Sequence, residues 1–220
     1  MNLAVTTPTS ATIIDEIEAQ DVYGLMAVDI AGATVIDLGA NVGIFALYAL
    51  ARGAARVVCV EPNATNCAAL AENIAAAGLT DRVQIIQAAV VGWKRGIALV
   101  GEGSQSFVAE AGDADYYRLA MGQHGPAPLA LPITLPEVFI AGAVGECGFL
   151  KVDVERSEFE VLTCTPADIL ARCRHLAVET SAAPPGAFGA MVEHLTQTHG
   201  VTTLGSARRG GYVYARRYGA

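Results

Sequence analysis

The stretch Val35-Ile-Asp-Leu-Gly-Ala-Asn-Val-Gly-Ile-Phe45 limits the folds open to this chain more than any other. An apolar strand closes on an acid, a turn with two glycines follows, and helical spacing of apolar residues (Ile44, Phe45, Leu47, Leu50) starts at once. Strand, glycine turn and helix in direct succession belong to α/β sheets that bind ligands at the carboxyl ends of parallel strands. The rhythm continues. Strands are expected at residues 34–37, 57–61, 83–88, 148–154 and 175–179, with helices at 42–52, 64–77 and 186–198. Asn63 is placed to cap the second helix and Gly78 to close it in a left-handed turn. Thr134 with Glu137 forms a capping box, and Ser157 with Glu160 and Thr165 with Asp168 read as two more. Residues 201–204 and 211–215 are the last strands, joined by a connection long enough for a hairpin and too short for a crossover. The expected fold is α/β, a Rossmann-like three-layer sandwich around a mostly parallel seven-stranded sheet with a C-terminal antiparallel hairpin.

Length suits one domain at residues 31–220, preceded by a lead-in segment at 1–30 with a helix over 13–25. Residues 93–132 break the periodicity and read as a lid or specificity insert. Hydrophobic residues make up 53% of the chain, and mean hydropathy is +0.41. No apolar run approaches the roughly 18 residues of a spanning helix, so alanine and valine in a doubly covered sheet account for the average. No membrane is expected as a partner. The first residues lack the basic and apolar segments of a signal peptide, which places the expected location in the cytoplasm. Five scattered cysteines and four histidines lack metal-like spacing, and the cysteines read as buried free thiols. Net charge is −8 and the basic clusters are two short arginine pairs near the C-terminus. Nucleic acid is therefore not an expected partner, because binding it requires a basic face.

The turn chemistry separates the ligand classes. Dinucleotide sites use three glycines so that backbone can approach a pyrophosphate. Here the pattern is Asp37-x-Gly39-x-x-x-Gly43, with Ala40 and Asn41 between the glycines and an acid before them. S-adenosylmethionine carries an ammonium and a sulfonium and no phosphate, and Asp37 would supply the opposite charge. Glu61 ends the next strand, 24 residues after Asp37, where a carboxylate can accept both ribose hydroxyls. Pro62 and Asn63 would line the adenosine pocket, and Ala88 and Ala89 would flank adenine. A second constellation is Leu150-Lys-Val-Asp-Val-Glu155, in which Lys151, Asp153 and Glu155 share one face of a strand. One reading has Asp153 orienting a substrate hydroxyl or accepting its proton. The other has Lys151 neutralising an acid at the sheet rim. Glu179, at the end of the fifth strand, faces the same cleft, and Tyr23 and Ser106 are candidate substrate contacts.

Val35 to Gly43, Val60-Glu-Pro-Asn63, Ile133-Thr-Leu-Pro-Glu137 and Leu150-Lys-Val-Asp-Val-Glu155 together resemble FkbM-type methyltransferases. The resemblance implies a class I methyltransferase fold, S-adenosylmethionine as methyl donor, and O-methylation of a hydroxyl on a sugar, polyketide or other small metabolite. The family has glycine after the acid of the last block, where this chain has Arg156. That arginine either recruits an acidic substrate group or pairs with Glu155 or Glu158. A non-catalytic S-adenosylmethionine-binding protein and an NAD-dependent oxidoreductase are the competing readings. A homodimer stays open. So does a divalent metal, since Asp153, Glu155 and Glu179 could converge with oxygen ligands, although no ligand spacing indicates one.

Overall fold

The computed structural model describes residues 3–101, 107–114, 117–118, 121–122, 128–206 and 210–219. Its centre is a seven-stranded sheet built from β1 (Thr34–Leu38), β2 (Arg56–Val60), β3 (Val83–Ile86), β9 (Cys147–Val152), β10 (Cys173–Thr180), β11 (His199–Ser206) and β12 (Gly210–Arg217). Spatial order is β11-β12-β10-β9-β1-β2-β3, and every pairing is parallel except the two made by β12. The chain runs outward from β1 to β3 and returns to lay β9 against the other side of β1. That reversal opens a crevice at the carboxyl ends of β1 and β9.

Period-two alternation divides the strands between two cores. Ile36, Leu38, Val58, Leu150 and Val178 pack on one face with Phe139 and Leu162. Val35, Val57, Cys59, Phe149 and Ala177 pack on the other with Phe45 and Leu50. Helix α2 (Ile44–Ala51) contributes the latter two and carries no charged residue. Helix α3 (Ala64–Ala76) starts where the Asn63 side chain accepts from the amides of Thr65 and Asn66, and Gly78 beyond it has φ +70°. Helix α4 (Leu135–Ala141) has the expected capping box of Thr134 and Glu137.

The other two boxes do not form. Helix α5 (Glu158–Cys164) has no side-chain cap, because Glu160 turns away to bind Arg95 at 2.6 and 3.0 Å and the Gly92 amide at 2.8 Å. Helix α6 (Ala167–Leu170) begins after Pro166, and the Thr165 hydroxyl donates backwards to the Val161 carbonyl. Helix α7 (Ala187–Thr196) precedes the final hairpin. The lead-in helix is shorter than expected: α1 spans Ser10–Glu18. Asp21 and Gly24 then adopt positive φ, and Asp21 accepts from the amides of Leu25 and Met26 to start a separate 3-10 turn, Leu25–Ala27.

The third expected strand stops at Ile86, and β4 (Ala89–Val90) pairs instead with β8 (Pro132–Ile133). Between them, β5 (Ile97–Val100), β6 (Phe107–Glu110) and β7 (Leu129–Ala130) form a small antiparallel sheet, so the described part of the insert is ordered structure over the crevice. All five cysteines are free. Cys164 is exposed and the other four are buried. Among the described residues no helix is long and apolar enough to cross a membrane.

Candidate active site

A cleft of about 350 Å³ occupies the crevice, a volume suited to a small ligand. The β1–α2 turn forms its floor. The amides of Gly39 and Ala40 donate to the Val60 carbonyl at 2.9 and 3.1 Å. Gly39 has φ +79°, and a side-chain carbon there would sit 1.8 Å from the Asp153 carbonyl oxygen. Its small size serves the close approach of the β1 and β9 ends. Asn41, φ +49°, lines the cleft, and its Oδ1 is buried without a hydrogen-bond partner among the described residues. Glu61 ties the turn to α3: Oε2 accepts from the Asn41 amide at 2.9 Å, and Oε1 from the Asn63 amide at 3.0 Å and Asn66 Nδ2 at 3.1 Å. Burial raises its pKa, and these hydrogen bonds oppose the rise. A carboxylate has about four acceptor positions, and the described residues use three of those on Glu61, which lines the cleft.

Lys151 and Asp37 lie beneath this floor. The Lys151 ammonium reaches Asp37 Oδ1 at 3.1 Å, the Gly39 carbonyl at 3.0 Å and Asp153 Oδ2 at 3.2 Å, which uses all three of its protons. Burial alone would lower the Lys151 pKa, but the charges of Asp37 and Asp153 outweigh it and the net direction is upward. For Asp37, burial raises the pKa and Lys151 offsets only part of that. The direct contact and the tightly held lysine proton make the charged pair the resting state. Asp37 is fully buried and does not line the cleft, so its charge goes to Lys151 and not to a ligand. Lys151 has no proton left for a substrate, which favours its reading as a neutralising group over a catalytic one.

The β9 end and its neighbours make the wall acidic. Asp153, Glu155 and Glu179 line the cleft together with Tyr23 and with Glu16 of α1. Burial, then the charges of Asp153 and Glu158, push Glu155 up to about 7. Burial and Asp153 push Glu179 up to about 7 as well. A carboxyl whose folded pKa is raised stabilises the fold below its unfolded value and loses that contribution as pH rises through the folded one. Stability is therefore expected to fall between about pH 4.5 and 7 on account of these two groups. Glu179→Gln should remove about 3 kcal/mol of that fall. Denaturation at both ends of the range, wild type against variant, measures it; equal slopes would mean that Glu179 titrates normally.

Of the residues singled out in the sequence, Tyr23, Gly39, Ala40, Asn41, Glu61, Pro62, Ala88, Ala89, Lys151, Asp153, Glu155 and Glu179 line this cleft. Four others do not. Asp37 is spent as above. Gly43, φ +87°, starts α2, and a side-chain carbon there would sit 3.0 Å from Leu70 Cγ. Asn63 is occupied as a helix cap. Arg156 lies outside the cleft lining, with its guanidinium 4.1 Å from the Phe107 ring, and forms no ion pair with Glu155 or Glu158 among the described residues. Its φ is +71°, which explains why glycine suits this position in the family that the motif resembles. Ser106 lies outside the described residues. Missed in the sequence were Thr12, Ile13, Glu16 and Ile17 of α1 and Phe107 and Val108 of β6, which also line the cleft. The spacing of Ile13 and Ile17 was the only signal that α1 docks. Among the described residues no group of three His, Cys, Asp or Glu side chains is arranged to hold a metal ion.

Parallel strands ending over such a cleft, with one antiparallel strand let in beside the sheet edge, define the class I methyltransferase fold. The family model for the methyltransferase FkbM domain matches residues 37–214, and the chain belongs to that family. Among solved structures, M. capricolum TrmK in complex with S-adenosyl-homocysteine is similar at 8% identity and TM-score 0.52, covering 90% of this chain and 67% of that one. A methyltransferase FkbM from Methylobacillus flagellatus KT is similar at 15% identity and TM-score 0.46, covering 84% of this chain and 43% of that one. A structure described as a putative RNA methyltransferase from Pyrococcus horikoshii is similar at 12% identity and TM-score 0.45, covering 99% and 91%. No curated protein matches the sequence.

Proposed function

We propose that this chain is an S-adenosylmethionine-dependent methyltransferase that methylates a hydroxyl of a small molecule. The observation that carries the reading is the acidity of the cleft: five carboxyl side chains line it (Glu16, Glu61, Asp153, Glu155, Glu179), and among the described lining residues Lys151 is the single cation. A cationic ligand complements that wall. The donor fits the residues present. Asn41 Oδ1 and the remaining position on Glu61 are acceptors for hydroxyl or amino protons that the described residues leave unfilled. Ala40, Ala88 and Ala89 leave room for a flat ring. When bound, S-adenosylmethionine supplies a methyl group on a sulfonium that departs as a neutral thioether.

The chain's own residues then have three tasks. Glu61 and Asn41 hold the ribose side of the donor. Leu99, Phe107 and Val108 of the insert and Ile13 and Ile17 of α1 give the cleft apolar lining, which would reduce the water around a bound donor. Asp153 accepts a hydrogen bond from the acceptor hydroxyl, aligns it for in-line attack and takes its proton as the O–C bond forms and the S–C bond breaks; alignment is the main catalytic contribution open to an enzyme whose donor is already activated. The net charge of −8 favours a small acceptor over a polynucleotide.

Incubation with methyl-labelled S-adenosylmethionine and a panel of hydroxylated small molecules, with a tRNA transcript alongside, tests the reading. Label is expected on a small hydroxyl compound, and label on the transcript would contradict it. Glu61→Ala is expected to weaken S-adenosylhomocysteine affinity by about 1–3 kcal/mol, the range for polar groups left unpaired. Unchanged affinity by calorimetry would remove Glu61 from the site.

A further inference from the structure

Tyr23, Asp153 and Glu179 come from three distant parts of the chain and meet in the cleft with too few protons for their contacts. The Tyr23 hydroxyl lies 3.1 Å from Asp153 Oδ2 and 3.0 Å from Glu179 Oε2. A phenol has one proton to donate. With both carboxyls ionised, one of these oxygen–oxygen contacts would hold no hydrogen, around a tyrosine that is 6% exposed. An anion set against a lone pair at that distance is repulsive. A second proton therefore has to occupy the row.

Lys151 decides which carboxyl holds it. Its ammonium sits 3.2 Å from Asp153 Oδ2 and neutralises that group. Glu179 has no ion pair among the described residues. On the reading that this cleft methylates a hydroxyl, we propose that Glu179 is a neutral acid in the resting site and acts through Tyr23 as a positioning residue for Asp153. Glu179 donates to the Tyr23 oxygen, Tyr23 donates to Asp153 Oδ2, and Lys151 donates to the same Oδ2. Oδ1, which accepts no hydrogen bond from the described residues, is then held free for the acceptor hydroxyl.

The surroundings of Glu179 agree with this arrangement. Facing it are Glu16 from α1, Tyr23 from the segment after it, Lys151, Asp153 and Glu155 from the β9 end, and Tyr212 and Tyr214 from β12. Burial, Asp153 and Glu16 favour its protonated form and outweigh the opposing hydrogen bond from Tyr23 and the charge of Lys151. Once Glu179 ionises, the single tyrosine proton is contested by two anions and Asp153 loses a fixed donor.

Carbon-13 carboxyl NMR of the full chain without cofactor, labelled at glutamate and aspartate and titrated over about pH 5–9, tests this directly. The Glu179 signal is identified by its absence in Glu179→Gln, whose amide can still donate to Tyr23. It is expected to titrate with a midpoint near 7. The Asp153 signal should inflect at the same pH, and Tyr23→Phe should cut that inflection by about half or more, because the connecting hydroxyl is gone. A Glu179 midpoint in the ordinary range near about 4.3 would overturn the proposal. So would an Asp153 inflection that survives Tyr23→Phe undiminished. S-adenosylhomocysteine titration of the same samples separates the two levels: binding with an ordinary Glu179 midpoint refutes the proton row alone. Absence of binding with the row intact refutes the methyltransferase reading.

Discussion

Lys151→Met is expected to destabilise the fold by about 3–5 kcal/mol, the cost of stranding a buried charge without its partner. Asp37 is fully buried, its Oδ2 has no hydrogen-bond partner among the described residues, and its Oδ1 is held by Lys151. Removal of the ammonium also frees the Gly39 carbonyl and takes the counter-charge from Asp153. Against a total stability of about 5–15 kcal/mol, such a loss threatens folding itself. In the variant Asp37 must bind a proton to stay buried. Its folded pKa then rises further, so the damage should shrink on acidification. The double variant Asp37→Asn/Lys151→Met should recover much of the loss. Urea denaturation of the three proteins at neutral and mildly acidic pH measures this, and a loss below about 1 kcal/mol for Lys151→Met would show that the pair does not hold the floor together.

Gly39→Ala carries the second large effect. The new methyl would be built 1.8 Å from the Asp153 carbonyl oxygen, a backbone atom that cannot rotate away. The residue also sits at φ +79°, outside the range most side chains accept. Overpacking and backbone strain together are expected to cost about 3–5 kcal/mol. The relief available is separation of the β1 and β9 ends, where the Asp153 amide donates to the Leu38 carbonyl at 3.1 Å. Whatever fraction folds should therefore bind S-adenosylhomocysteine poorly. Melting followed by titration of the folded protein checks both parts; a variant with wild-type melting would mean that the turn has more room than the structure gives it.

The difference between Asp37 and Asp153 shows where a sequence can be read and where it cannot. Asp37 stands just before the Gly39 turn, and the backbone of Asp153 packs against it. Asp153 follows β9 into the cleft, as its place at the carboxyl end of a parallel strand suggests. Asp37 is still inside β1, on the face shared with Val35, and its register partner on the neighbouring strand is Lys151. That pairing joins residues 114 apart, so no local pattern announces it. The sheet was legible because doubly buried strands, glycine turns and the final hairpin are local signals. Glu160 was misread for the same reason as Asp37: a capping box looks local, but Arg95, 65 residues away, is the stronger partner. Docking of α1 over the cleft is also non-local, and Glu16 entered the site unannounced. Arg156 is the converse case. The departure from glycine was visible in the sequence, and φ +71° shows the backbone requirement that a glycine would meet there.

The central claim is that the acidic cleft over Gly39 and Asn41 binds the methyl donor through Glu61. Calorimetric titration of the purified chain with S-adenosylhomocysteine, with NADH and Glu61→Ala run in parallel, tests it most directly. The account predicts micromolar binding of S-adenosylhomocysteine, none of NADH, and at least about a fivefold loss in the variant, which corresponds to about 1 kcal/mol. Failure of the folded wild-type protein to bind S-adenosylhomocysteine, or binding of NADH in its place, would contradict it.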